Sequence, residues 1–118
     1  MINLVTMELC NLELQLILFA SSPYRITEFD HNEVKEIIKE SKLTELLKAD
    51  QMLQQRHQRK VFNGYTEGPI TFLPTYKFDP GTDDWDTSEK SRAPAWTDRI
   101  LWQGDHIEQV LYIFLTTL

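Results

Sequence analysis

A mixed α/β (α+β) domain is what this sequence predicts, on three patterns. Leu12, Leu14, Leu16 and Leu18 alternate with Glu13, Gln15 and Ile17, the two-residue period of a strand buried on at least one face. Val34, Ile37 and Ile38, then Leu43, Leu46 and Leu47, recur at helical spacing. Short β-prone runs close the chain, at Arg99–Trp102 and Val110–Leu118.

The elements follow in order. Ala20-Ser21-Ser22-Pro23 ends the first strand, because proline has no N–H for the ladder and small polar residues favour turns. Asp30 and Glu33 have the spacing of a capping box, with aspartate in place of serine or threonine. Two helices are predicted from there, about 31–40 and 43–57, split near Ser41. Their Glu and Lys residues read as a solvated face. Asn63-Gly64 and Glu67-Gly68-Pro69 are turn signals, and Ile70-Thr71-Phe72 is a short strand candidate stopped by Pro74. Phe78 to Asp86 is a loop. Its Asp83, Asp84 and Asp86 lack the EF-hand spacing and the closing glutamate, so a solvated acidic turn is the simpler reading than a calcium site.

Composition narrows the function. At 118 residues the chain is long enough for one small core. Its net charge of −6 argues against general nucleic-acid binding, which needs a broad basic surface. Cys10 is the one cysteine, so no intrachain disulfide forms. Glu8 and Glu13 interrupt the apolar N-terminus, which makes a poor signal peptide, and no charge-free apolar run is long enough to span a membrane. His31, His57 and His106 show no metal-ligand spacing. No Gly-rich phosphate loop and no nucleophile elbow occur.

What remains is a group of cations, Lys77, Lys90, Arg92 and Arg99, set among prolines and aromatic residues between Phe62 and Trp102. A stiff loop can hold such a cation against a phosphate, where a charge-assisted hydrogen bond contributes about 1.5–3 kcal/mol. Pairing with Asp83, Asp84, Asp86 and Glu89 is the plainer reading of the same cations. Trp85, Trp96 and Trp102 read as core.

The words in this stretch go further. Phe72-Leu-Pro-Thr-Tyr-Lys-Phe-Asp79, Asp86-Thr-Ser-Glu-Lys-Ser-Arg92 and Pro94-Ala-Trp-Thr-Asp-Arg-Ile-Leu-Trp102 closely resemble the inositol polyphosphate 5-phosphatases, most of all their type II branch. The resemblance runs from about Tyr24 to Tyr112, with divergent ends at 1–23 and 113–118. It implies part of an endonuclease/exonuclease/phosphatase (DNase I-like) fold, a two-sheet sandwich with helices outside. It implies Mg²⁺-dependent removal of the 5-phosphate from phosphoinositide lipids or soluble inositol phosphates. Tyr76, Lys77, Lys90 and Arg92 would grip the neighbouring 4-phosphate. Asp98 would orient a catalytic histidine, and Arg99 would support the same site.

Two departures set expectations for activity. The family's other signature, Trp-x-Gly-Asp-x-Asn-Tyr-Arg, aligns with Leu18-Phe-Ala-Ser-Ser-Pro-Tyr-Arg25. Ser21 then replaces the catalytic aspartate and Pro23 the asparagine. Ile113 to Leu118 stands where the histidine-bearing Ser-Asp-His segment would follow, and the metal-binding glutamate belongs to an N-terminal half that the match does not reach. The expectation is a single partial catalytic domain, weakly active or inactive. It would be cytoplasmic, with peripheral contact at the cytosolic face of membranes. A reading from another class is a non-catalytic remnant that binds a phosphoinositide headgroup or a protein. The apolar ends, Leu12 to Phe19 and Val110 to Leu118, are expected to pair with each other and cover the exposed edge.

Overall fold

A computed structural model describes residues 2–9, 15–19, 22–76, 78, 84–85, 92–104 and 109–117. The elements run β1 (Ile2–Leu9), β2 (Gln15–Phe19), α1 (His31–Lys39), α2 (Leu43–Lys48), α3 (Gln51–His57), β3 (Arg99–Gln103) and β4 (Gln109–Thr117). The strands form two antiparallel pairs, β1 with β4 and β2 with β3.

The capping box at the start of α1 forms as the spacing predicts. Glu33 N donates to Asp30 Oδ1 at 2.8 Å, and Asp30 N donates to Glu33 Oε2 at 2.9 Å. Val34 points into the core, while Glu33, Glu36 and Lys39 are exposed. The apolar period therefore sets the buried face, and the charges are solvated.

The helix expected over 43–57 is two helices instead. Asp50 breaks it. Its backbone bridges Ile26, and its side chain accepts from Leu53 N at 2.9 Å, which makes it the N-cap of α3. Gln51 N donates to Arg25 O at 2.9 Å rather than along the helix. The periodicity of Leu46, Leu47, Met52 and Leu53 survives the break, so pattern alone reads through it.

Two further expectations need correction. Ile70 to Phe72 is not a strand; it is irregular backbone. Phe72 O accepts from Trp96 Nε1 at 2.9 Å, so the segment is held by a side chain rather than by a ladder. The two apolar ends do not pair with each other. β2 pairs β3, with Leu16 opposite Trp102 and Phe19 opposite Arg99. β4 pairs β1, with Met7 opposite Tyr112, and Ile2–Leu9 is a strand that no alternation in the sequence predicted.

The core gathers Ile26, Val34, Leu46, Ala49, Ile70, Ala95, Trp96, Ile100 and Tyr112. It joins the helices to β3. Trp96 and Trp102 are buried, as expected. Trp85 is half-buried and stacks on Phe78 with ring centroids 4.6 Å apart, so it belongs to the loop rather than the core. β3 is buried along nearly its whole length, which gives the segment before it, Arg92 to Asp98, a fixed base.

Candidate active site

Two isolated pairings bring the sequence-predicted residues together. Tyr76 and Ala95 exchange backbone hydrogen bonds at 3.1 and 3.0 Å, and Ser22 N donates to Thr97 O at 3.1 Å. Residues 22–25, 75–76 and 92–98 thus converge beside the start of β3. The short side chains at Ser22 and Ala95 allow this close backbone approach.

Tyr76 lies between two guanidinium groups. Arg92 Nη1 donates to the Tyr76 hydroxyl. Arg25 sits over the face of the same ring, 4.7 Å from its centroid, a cation–π contact. Arg25 Nη1 also donates to Ser22 O at 2.6 Å and Tyr24 O at 3.1 Å, which fixes it in place. All three side chains are half-buried and keep access to solvent. With its lone pair taken by Arg92, the Tyr76 hydroxyl proton is left to donate. Two cations and one hydroxyl are thus gathered at one point. Lys77 and Lys90 adjoin this point in sequence but lie outside the described residues, as do Ser21, Asp83, Asp86 and Glu89. Sequence reasoning had kept Arg25 only as a surviving motif residue. Its part in clamping Tyr76 depends on a contact across 51 positions of chain, which no local pattern encodes.

Asp98 is half-buried, and its backbone N donates to Thr75 Oγ1 at 3.4 Å. Arg99, next to it, corrects the reading of that residue as a loop cation for phosphate. It is fully buried. Its Nη1 donates to Asp50 Oδ1 and Oδ2 at 3.0 and 2.9 Å. Its Nε and Nη2 donate to Glu67 Oε2 and Oε1 at 2.7 and 2.8 Å. Arg56 lies 3.5 Å from Glu67. Tyr112 donates to Glu67 Oε2 at 2.8 Å and accepts from Ile100 N at 3.1 Å.

The network carries two carboxylates and two guanidiniums, so its formal charges cancel. Burial works against the charge on Arg99, but hydrogen bonds and attraction from Glu67, then Asp50, more than offset it and hold Arg99 above its usual range. Burial, with Glu67 beside it, also pushes the Tyr112 phenol up. Arg99 cannot reach a ligand. It ties the start of β3 to α3 and to the 66–67 segment, and so holds Asp98 in place. Asp50, Glu67 and Tyr112 went unnoticed in the sequence. Tyr112 alone stands between apolar neighbours, Leu111 and Ile113; Asp50 and Glu67 carry no such local signal.

Among the described residues no three His, Cys, Asp or Glu side chains are gathered so as to hold a metal ion.

Comparison with known proteins identifies the architecture. Residues 7–116 match the Endonuclease/Exonuclease/phosphatase family 2 profile. The chain is 55% identical over 89 residues to a type II inositol 1,4,5-trisphosphate 5-phosphatase of Mus musculus, covering 75% of this chain and 9% of that protein. It is 50% identical over 80 residues to synaptojanin-1 of Homo sapiens, covering 68% of this chain and 5% of that protein. The chain belongs to the inositol polyphosphate 5-phosphatase family. Its fold is that family's DNase I-like α/β architecture. A solved relative is the inositol polyphosphate 5-phosphatase domain of SPsynaptojanin, in complex with inositol (1,4)-bisphosphate and calcium ion. It is 48% identical with a TM-score of 0.71, covering 76% of this chain and 27% of that one. Cimex nitrophorin, solved as a ferrous NO complex, shares the fold at 32% identity and a TM-score of 0.65, covering 76% of this chain and 30% of that one. One backbone therefore serves different chemistries, and function within the 5-phosphatase fold has to be argued from side chains.

Proposed function

We propose that this chain recognises inositol phosphates that carry a 4-phosphate, as a lipid headgroup or as the soluble molecule, and hydrolyses their 5-phosphate weakly or not at all. The observation that carries recognition is the Tyr76 hydroxyl bonded to Arg92, with Arg25 clamped on the ring. Tyr76 and Arg92 grip the 4-phosphate directly. Lys77 and Lys90, their neighbours in sequence, add charge. A phosphate dianion here replaces water around cations whose positions are already fixed, so little ordering cost remains to be met on binding.

Weak hydrolysis follows from the residues at the reacting end. Ser21 stands for the family's aspartate and is a far weaker base. Pro23 offers no side-chain amide. Asp98, held by the buried Arg99 next to it, retains the position from which a carboxylate orients an imidazole. Yet Ile113 to Leu118 stands where the histidine-bearing segment would be. Removing several members of a catalytic unit removes nearly all its rate enhancement. In the family Mg²⁺ supplies charge neutralisation at the phosphate. The described residues do not by themselves gather a metal site, so the roles assigned to them are binding and orientation. No helix of the described residues is long and apolar enough to cross a membrane. On the family's phosphoinositide substrates, and not on that absence, we assign the chain to the cytoplasm, with peripheral contact to phosphoinositide-bearing membranes.

The test is calorimetric titration of the chain with inositol 1,4-bisphosphate, beside Mg²⁺-dependent phosphate release from phosphatidylinositol 4,5-bisphosphate. Arg92→Gln and Lys77→Ala should each weaken binding about tenfold or more, the loss of one charge-assisted hydrogen bond. Phosphate release should stay near background. Binding indifferent to both substitutions would refute the recognition site. Strong release, lost in Lys77→Ala, would refute the inference from Ser21 and Pro23.

A further inference from the structure

A cavity of about 550 Å³ opens at the end of α3, lined by Arg56, Arg59, Phe62, Asn63, Gly64 and Tyr65. Its size falls within the roughly 300–1,000 Å³ of small-molecule sites. It is not the Tyr76 site. A Cβ on Gly64 would stand 3.1 Å from Gln103 Nε2, which puts this loop at the far end of β3. Asp98 precedes the other end, about 16 Å away along an extended strand.

The charge here is concentrated. Between Asp50 and Glu67 the chain has no acidic residue and carries Arg56, Arg59 and Lys60, although its net charge is −6. Complementing the α3 dipole calls only for cations of the last turn, which Arg56 and His57 supply. Arg59 and Lys60 lie beyond it. Among the described residues the Arg59 guanidinium makes no ion pair.

The cavity is also preformed. Arg59 (φ +56°) and Phe62 (φ +50°) occupy the left-handed region, which side chains other than glycine adopt only where their surroundings hold them there. Asn63 Nδ2 donates to Arg59 O at 2.9 Å, and Tyr65 N donates to Phe62 O at 3.1 Å. Arg56 Nη2 donates to Tyr65 O at 3.0 Å. The Phe62 and Tyr65 rings meet edge to face at 6.2 Å and form an apolar wall beside the cations.

We propose that this cavity is a second anion site, which takes a phosphomonoester borne on a compact ring. Arg59, with Arg56 behind it, meets the phosphate. Phe62 and Tyr65 receive the C–H face of the ring. The site uses none of the residues around Tyr76, so it stands or falls independently of the reading given for them.

The test is an NMR titration of the full chain with inorganic phosphate, with inositol 1,4-bisphosphate, and with two phosphatidylcholine vesicles of equal charge. One vesicle contains phosphatidylinositol 4-phosphate and the other phosphatidylserine. Amide shifts at Phe62, Gly64 and Tyr65 should saturate as a group distinct from those at Tyr76 and Ala95. Arg59→Gln should raise Kd for the first group about tenfold or more and leave the second unchanged. Arg92→Gln should do the reverse. Response to the soluble bisphosphate identifies a free ligand, and response confined to the phosphomonoester vesicle identifies a lipid headgroup. Shifts restricted to Tyr76 and Ala95, indifference to Arg59→Gln in a variant with an unchanged melting temperature, or equal response to phosphatidylserine would each overturn the proposal.

Discussion

Arg99→Met tests the buried network most directly. The substitution keeps a flexible apolar stem and removes a guanidinium that makes four short hydrogen bonds to Asp50 and Glu67. The side chains of Asp50 and Glu67 are only 1% and 2% exposed. Both carboxylates stay buried after the change, and Arg56, on the rim, is the one cation of the network left to them. Removing one partner of a buried ion pair costs about 3–5 kcal/mol, against roughly 5–15 kcal/mol for a whole domain. Urea unfolding followed by tryptophan fluorescence reports the loss, because Trp96 and Trp102 are buried beside the network. With a slope of about 1–3 kcal/mol per molar urea, the midpoint should fall by roughly 2 M. Asp50→Asn and Glu67→Gln added to Arg99→Met neutralise the stranded carboxylates, and Asn still offers an oxygen to Leu53 N as a helix cap. The triple variant should therefore be more stable than Arg99→Met alone. A midpoint shift below about 0.5 M would mean that the pairs are worth no more than surface pairs. A triple variant no better than the single would place the loss in packing of the Arg99 stem rather than in stranded charge.

Two further outcomes follow from local contacts. The folded state holds the Tyr112 phenol above its ordinary value, by burial and by Glu67. Tyr112 therefore contributes stability that is complete below the unfolded pKa of about 10 and is lost as pH rises beyond it; stability measured from about pH 8 to 11 should fall at the alkaline end, and Tyr112→Phe should flatten that fall while costing about 1–3 kcal/mol near neutrality. Asp30→Ala removes the side-chain half of the α1 capping box, leaving the backbone N–H of residue 30 to donate to Glu33, and should cost about 1 kcal/mol by thermal unfolding, with Asp30→Ser largely restoring it; an unchanged melting temperature in Asp30→Ala would show that tertiary packing alone holds the first turn.

Much of this chain was legible because its determinants are local. Asp30 and Glu33 act within one helical turn, and Val34 and Leu46 sit on a stripe that the 3.6-residue period exposes. Arg99 to Trp102 reads as a strand because its residues favour one. The helix break at Asp50 was not legible. Leu46, Leu47, Met52 and Leu53 keep an apolar period straight across it, and the break is stabilised by Arg25, Ile26 and Arg99, all remote in sequence.

By itself the sequence determined the helical stretches (though not the break at Asp50), the late strands and, through the words around Tyr76, Arg92 and Asp98, the family. These are short-range patterns, or rare residue combinations preserved side by side. Tertiary structure alone decided which strands pair, and that Arg99 is a buried anchor whereas Arg25 and Arg92 clamp Tyr76. The physical reason is that a cation's role depends on the solvent and carboxylates around it. Arg92 and Arg99 lie only seven positions apart, but Asp50 and Glu67 fold around Arg99 and leave it no face to present.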